Sequence, residues 1–168
     1  MKHLIVIFMI IFSYGFDIKY KSFESDFNQT VKSENKVILY TGKVYVNNNL
    51  VYWHYLKPIE KKIWAINNKI YVYEPDLEQV TIYKTSKKDN FFDLIKTAKK
   101  EKNNLYLKKY DNKNIYFEVN NKLVKRIYYK DKIDNLVTLN FYNIKPKEFN
   151  ISFFKPKYPE YVDIIYAK

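Results

Sequence analysis

Few side chains in this chain could carry out chemistry. A hydrolase or metal enzyme needs convergent histidine, cysteine or carboxylate groups, and the 168 residues include no cysteine and two histidines, His3 and His54. His54 stands beside Trp53 in an alternating apolar run, where a lone imidazole reads as an exposed or hydrogen-bonded strand side chain rather than a base or ligand. Glu74, Asp76 and Glu78 crowd around Pro75, but calcium loops need more oxygen ligands and usually a glycine, so this trio reads as turn and solvated surface. With glycine only at positions 15 and 42, no glycine-rich phosphate loop can form. The missing cysteine also removes disulfides, thiolate catalysis, cysteine-bound metals and a lipid-attachment residue. We expect no enzyme, no cofactor and no metal.

What remains is a binding surface, and the stretch Gly42–Thr81 organises it. Asn47-Asn48-Asn49, Lys57-Pro58, Asn67-Asn68 and Glu74-Pro75-Asp76 are turn chemistry, because asparagine tolerates positive φ and proline presets a turn. Between them lie short runs rich in Val, Ile, Tyr and Trp, which together read as an antiparallel meander. Alternation puts Val51, Trp53 and Tyr55 on one strand face, Tyr71 and Tyr73 on another, and Ile38, Tyr40, Gly42, Val44 and Val46 together on the strand over 36–47. The expectation is that these apolar sets share one concave, dry face. Gly42, at the centre of its strand, predicts a kink or the close approach of another backbone.

Upstream, Phe16, Ile18 and Tyr20 share one parity, and Phe23, Phe27 and Val31 the other, predicting a bulge near Lys21-Ser22; a short amphipathic helix from Ile18 to Ser25 is the rival reading. Downstream the period changes. Phe91, Leu94, Ile95 and Ala98 recur at helical spacing behind a cap at Asp89 or Asn90, with lysines following, which predicts one helix over 90–101. Alternation then returns in Leu105–Tyr110, Asn114–Val119, Leu123–Tyr129, Leu136–Ile144, Phe149–Phe154 and Val162–Ala167, the last expected at a sheet edge. Asp111-Asn112 and Asn120-Asn121 are hairpin turns by composition, and Lys155-Pro156-Lys157-Tyr158-Pro159 reads as an extended spacer. With no repeat or low-complexity stretch, residues 16–168 read as one mainly β domain.

Residues 1–15, MKHLIVIFMIIFSYG, have a basic start, an apolar run from Leu4 to Phe12 and a small residue at position 15. The run is short for a bilayer core of about 30 Å, so the segment reads as a signal peptide cleaved after Gly15; an uncleaved anchor is the alternative. The formal charge of +12 could suggest nucleic acid or phospholipid, but Lys and Asn are spread through every loop, which reads as a solvated surface and no nucleic-acid partner.

Three segments in order, SFESDFNQTV, GKVYVNNNLVYWHYLKP and NNKIYVYEPDLEQVT, resemble the outer-membrane lipoprotein carrier family, the LolA-type periplasmic chaperones. The matching positions are Phe23, Ser25, Phe27 and Gln29; Gly42; Trp53 and Pro58; Asn68 and Lys69; and Tyr73, Pro75, Leu77, Glu78 and Gln79. The resemblance implies an unclosed antiparallel β-barrel, here of about 10–11 strands, whose apolar concave face is covered by helix and holds lipoprotein acyl chains. On that basis Ile38, Tyr40, Val44, Val46, Val51, Trp53, Tyr55, Tyr71 and Tyr73 would line the cavity, and Phe91, Leu94, Ile95 and Ala98 would face it from the lid. The implied partners are acylated lipoproteins, an inner-membrane ABC-type lipoprotein-releasing complex and an outer-membrane acceptor, with the carrier a periplasmic monomer. A lipid- or lipoprotein-binding sensor of this fold and the lipid-anchored acceptor are the alternatives. Two departures stand out. The family's Arg-Pro after the glycine strand is replaced by Asn47, Asn48 and Asn49 at the rim, and only Phe16–Ser22 is available where the family has a longer N-terminal helix.

Overall fold

Asparagine sets the rhythm of the chain. In the computed structural model, which describes residues 18–84 and 91–167 (without the side chains of 91–93), Asn48, Asn67, Asp111, Asn112, Asn121 and Lys122 all have positive φ near 50°. Each sits where a strand must reverse within two residues, and asparagine and aspartate tolerate this region better than other side chains. The resulting strands are β1 (Ser22–Lys32), β2 (Val37–Asn47), β3 (Leu50–Lys57), β4 (Lys61–Ile66), β5 (Lys69–Glu74), β6 (Gln79–Lys84), β7 (Lys99–Lys102), β8 (Leu105–Tyr110), β9 (Lys113–Asn120), β10 (Leu123–Lys130), β11 (Leu136–Pro146) and β12 (Asp163–Ala167). They form a single unclosed twelve-stranded sheet in the order β12-β6-β5-β4-β3-β2-β1-β11-β10-β9-β8-β7. Two meanders, β1–β6 and β7–β11, are thus joined where β1 pairs with β11.

Five expectations need correction. The sheet has two more strands than the lower expected count and one more than the upper. The helix α1 covers only Phe91–Lys96; beyond Ala98 no apolar residue continues its stripe, and Lys99–Lys102 instead hydrogen-bonds to β8 as a charged edge strand. Phe149–Phe154 is no strand: its second part, Ile151–Phe154, is a 3₁₀ turn (η2) capped by the Asn150 side chain, which accepts from Ser152 N at 2.9 Å. β12 does lie at an edge, but it pairs parallel to β6. The irregularity expected near Lys21-Ser22 falls opposite Ser25, where Asn143 (φ 54°) adds a residue to β11; residues 18–21 are neither strand nor helix. The expected signal segment lies outside the described residues.

Directly paired residues of an antiparallel ladder share a face, so the registers sort every side chain. One face carries Phe27, Gly42, Val44, Val46, Val51 and Trp53 and, from the other meander, Phe117, Val119, Ile127, Val137, Leu139 and Phe141; with Ile95 and Ala98 these form the larger core. The opposite face holds a second core of Trp64, Tyr73, Val80, Ile82 and Val162. Rings stack across its strands, Tyr45 on Tyr52 at 5.4 Å and Tyr52 on Trp64 at 5.1 Å. The segment from Phe149 to Val162 crosses this outer face as a strap, with Phe153 edge-on to Tyr45 and Tyr52 and Tyr158 beside Tyr73. On the other meander the same face is wet: Asn28, Asn140, Arg126 and Glu118 form a hydrogen-bonded row.

Gly42 lies on the inner face of β2, against the β3 backbone. A Cβ there would collide with the His54 carbonyl oxygen and meet the Phe27 ring at 2.8 Å. The expected close backbone approach is therefore present, and Phe27 fills the space that the missing side chain leaves, packed edge-on to Trp53 and Tyr55.

Candidate functional site: an apolar chamber

Between α1 and the inner face lies a chamber lined by Ile18, Phe23, Val44, Val46, Val51 and Trp53 from the first meander, by Leu123, Val124, Phe141 and Ile144 from the second, and by Ile95 from the helix. Alternation on β2, β3, β10 and β11 brings these residues together, and every one is apolar. The space left open is only about 30 Å³, room for a water or two. The plug is Ile95, fully buried like Ala98, with Leu94 half-buried beside it. Six residues are too few for a helix to persist in water unaided. The position of α1 therefore rests on this packing.

Among the described residues no charged side chain lines this space. The Tyr55 hydroxyl, on the same sheet face, donates to Gln29 Oε1 at 2.7 Å, and burial pushes its phenol far above the ordinary tyrosine value. Burial likewise raises Tyr129. Both stay neutral at physiological pH. Such a lining can take up apolar surface by excluding water and offers little for hydrogen bonding.

The candidate residues separate into three groups. Val44, Val46, Val51, Trp53 and Ile95 line the chamber, with Val44 paired directly to Trp53. Ile38, Tyr40 and Tyr55 share the face but sit toward its far end, where Tyr40 packs edge-on to Tyr55 at 6.0 Å. Tyr71 and Tyr73 do not belong to it. Tyr71 pairs with Trp64, which pairs with Tyr52, and Tyr73 pairs with Lys62, so both tyrosines lie on the outer face under the strap. Each holds the apolar parity of its own strand, but from β4 onward the buried side of the sheet is the opposite one. Sequence reading also misses Ile18, Phe23, Leu123, Val124, Phe141 and Ile144 as wall residues; the alternation of Val137, Leu139 and Phe141 is the available signal for that half. The helix residue Phe91 begins α1, and its side chain is outside the described set.

The Asn47–Asn49 turn is held at two points. Asn48 N donates to the Lys21 carbonyl at 2.7 Å, and Asn47 Nδ2 to the Phe149 carbonyl at 3.1 Å. Lys19 N meanwhile donates to the Lys122 carbonyl at 2.9 Å. Residues 18–21 thus bridge the β9–β10 and β2–β3 turns and bring Ile18 to the chamber's end. His54 faces outward, 2.9 Å from Glu60 and stacked on Tyr52. Glu74 pairs with Lys61 at 2.8 Å, and Glu78 terminates the Pro75–Leu77 turn (η1) with φ 49°. Among the described residues no group of three His, Asp or Glu could hold a metal ion.

The family model described as outer membrane lipoprotein carrier protein LolA matches residues 18–105. The outer-membrane lipoprotein carrier protein of Campylobacter jejuni is 33% identical over 98% of this chain and 99% of its own length. That of Helicobacter pylori is 34% identical over 86% of this chain and 80% of its own. Among solved structures, a LolA superfamily protein from Nitrosomonas europaea superposes with a TM-score of 0.56 at 12% identity, over 86% of this chain and 94% of that one.

Proposed function

This chain belongs to the outer-membrane lipoprotein carrier family, and from that premise we propose that its chamber holds the acyl chains of lipoproteins in transit across the periplasm. The observation that carries the reading is a wholly apolar chamber already filled by a side chain of its own lid, Ile95. An acyl chain contributes about 0.8 kcal/mol for each methylene it buries. To enter, it displaces Ile95 and its neighbours, so the burial that favours the ligand is offset in part by the burial the helix gives up. A small gap between closed and open states lets a carrier both hold and release its cargo. Val44, Val46, Val51, Trp53 and Phe141 are the wall the acyl chains would touch.

The same reading assigns the surroundings. Residues 1–15 direct export and are removed, an inner-membrane ABC-type lipoprotein-releasing complex loads the chamber, and an outer-membrane acceptor empties it. N-terminal sequencing of the periplasmic protein would reveal a retained leader if this assignment fails.

The two tryptophans provide the test of cargo binding, because Trp53 lines the chamber and Trp64 lies buried in the outer core. In a Trp64→Phe variant, titration with a triacylated lipoprotein should change the remaining Trp53 emission. A Trp53→Phe variant should bind with little change in emission. If the lipoprotein moves only the Trp64 signal, or neither variant binds it, the chamber is not the acyl site.

A further inference from the structure

The sheet ends differently at its two edges. At one end stands β7, Lys99–Lys102, four exposed residues of which three are lysine, and charge of this kind keeps a free edge from pairing with another strand. At the other end β12 carries Ile164, Ile165 and Tyr166, which are 47%, 45% and 75% exposed, and has no such protection. Its backbone is only half used. Asp163 N donates to the Glu78 carbonyl at 2.8 Å, so in the parallel ladder Asp163, Ile165 and Ala167 turn their backbone groups toward β6. The N–H and C=O of Ile164 and Tyr166 therefore point out of the sheet edge, where they have no partner among the described residues.

We propose that β12 pairs antiparallel with β12 of a second copy of this chain, about a two-fold axis at Ile165. In that register Ile164 exchanges both hydrogen bonds with the second copy's Tyr166, and Tyr166 with the second copy's Ile164, so every outward group of β12 is satisfied. The side chains agree with it. Each Ile164 stands beside a tyrosine ring, a favourable cross-strand pair, and the two Ile165 side chains meet at the axis on the opposite face. The charges near the edge are self-complementary as well. Glu78 and Asp163 stand at one end of β6 and β12, Lys69 and Lys84 at the other, all four exposed and none in an ion pair among the described residues. Lys61 and Lys62 are taken by Glu74 and Glu60, and Lys157 and Glu160 of the strap offset each other in charge. Antiparallel pairing sets each acidic end beside the second copy's basic end, which favours a second copy over an unrelated strand. So small an interface suits reversible association. It departs from the monomer that the family resemblance implies and leaves the chamber free, since no residue lining the chamber belongs to β6 or β12.

Sedimentation equilibrium of the protein isolated from the periplasm, over a range of concentrations, is the test, and it should show a reversible monomer–dimer equilibrium. Ile165→Lys and Ile165→Glu each set like charges against each other at the axis and should weaken the dimer about tenfold, with the circular dichroism unchanged. An equimolar mixture of the two variants should regain the parent's affinity to within about threefold, because lysine then meets glutamate; that recovery also shows both variants folded. Tyr166→Pro removes an N–H that β6 does not use and should weaken the dimer about tenfold. The proposal is overturned if the parent sediments as a monomer throughout, if the single variants dimerise like the parent, or if their mixture stays as weak as either alone. It is equally overturned if β12 of a monomeric parent proves to take a strand of a different protein.

Discussion

Strand β3 turns Val51 and Trp53 into the chamber and Tyr52 into the aromatic core beneath the strap, so one strand serves two cores that are closed in different ways. The outer core is closed by the protein's own continuous chain. Phe149, Phe153 and Phe154 pack against one another at 4.9–5.6 Å, and β12 ties the strap's far end to β6. The inner core is closed by six helical residues and leaves a void. Aromatic pairs add about 0.5–1.5 kcal/mol each beyond their burial, which helps hold the strap to the sheet. The inner wall mixes rings such as Trp53 and Phe141 with valines, and the helix meets it through aliphatic Leu94 and Ile95, whose cohesion is non-directional; on the proposed function a ligand would take the place of Ile95. On that function the sheet separates permanence and exchange by face.

Breaking the outer core should have the largest effect on stability. Phe154→Ala removes a side chain that is 1% exposed and should cost about 4 kcal/mol in urea unfolding while leaving lipoprotein affinity per folded molecule unchanged; a matching fall in affinity would show that the faces are not independent. Gly42→Ala strikes the wall between them. The backbone clash at the new Cβ should cost about 3 kcal/mol, and because Phe27 must give way, Trp53 emission should shift even without ligand. Ile95→Asp reverses the pattern: unfolding free energy should fall by only about 1 kcal/mol, since the helix can detach locally, whereas lipoprotein binding should tighten about tenfold, because the acyl chain no longer competes with a buried isoleucine. Equal losses in both measurements would make α1 part of the core rather than a lid.

The smallest effect concerns pH. Asp26 accepts from Asn143 Nδ2 at 2.8 Å and pairs with Lys43 at 3.0 Å, interactions that hold its carboxyl below the ordinary value of 3.8. A carboxyl whose folded pKa is depressed adds stability above its unfolded pKa and loses it as pH falls through the folded one. Asp26→Asn should therefore cost under about 1 kcal/mol at neutral pH, and the difference from the parent should close in acid. A constant difference down to low pH would assign the cost to packing at the β11 bulge.

The meander is legible in the sequence because its turns are chemically marked: asparagines at positive φ and prolines fix most strand ends to within two residues. Strand parity is legible as well, but parity gives sets of residues without saying which set faces which core. Tyr71 and Tyr73 fall on the wrong side in a reading by parity because the strap that buries them comes some eighty residues later, from a Phe-rich, Pro-broken stretch whose alternation resembles a strand. The stripe Leu94, Ile95, Ala98 reveals the helix but not its end, since Lys99–Lys102 suits a solvated helix turn as well as a charged edge strand. The second wall of the chamber is visible strand by strand in Leu123–Ile144. Only the long-range pairing of β1 with β11 makes it a wall.

That pairing has a consequence in time. The Ser22 hydroxyl donates to the Lys147 carbonyl across 125 residues of sequence, so the first strand made waits for nearly the last. A chain synthesised from its N-terminus has all six strands of the first meander available, with Val44, Val46 and Trp53 uncovered, before β11 exists to complete the enclosure. Closure at such long range is slow compared with hairpin formation, and refolding should show the Trp53 signal maturing after β-structure by circular dichroism. During that interval the half-built wall presents to any passing acyl chain the surface that the finished molecule keeps behind Ile95.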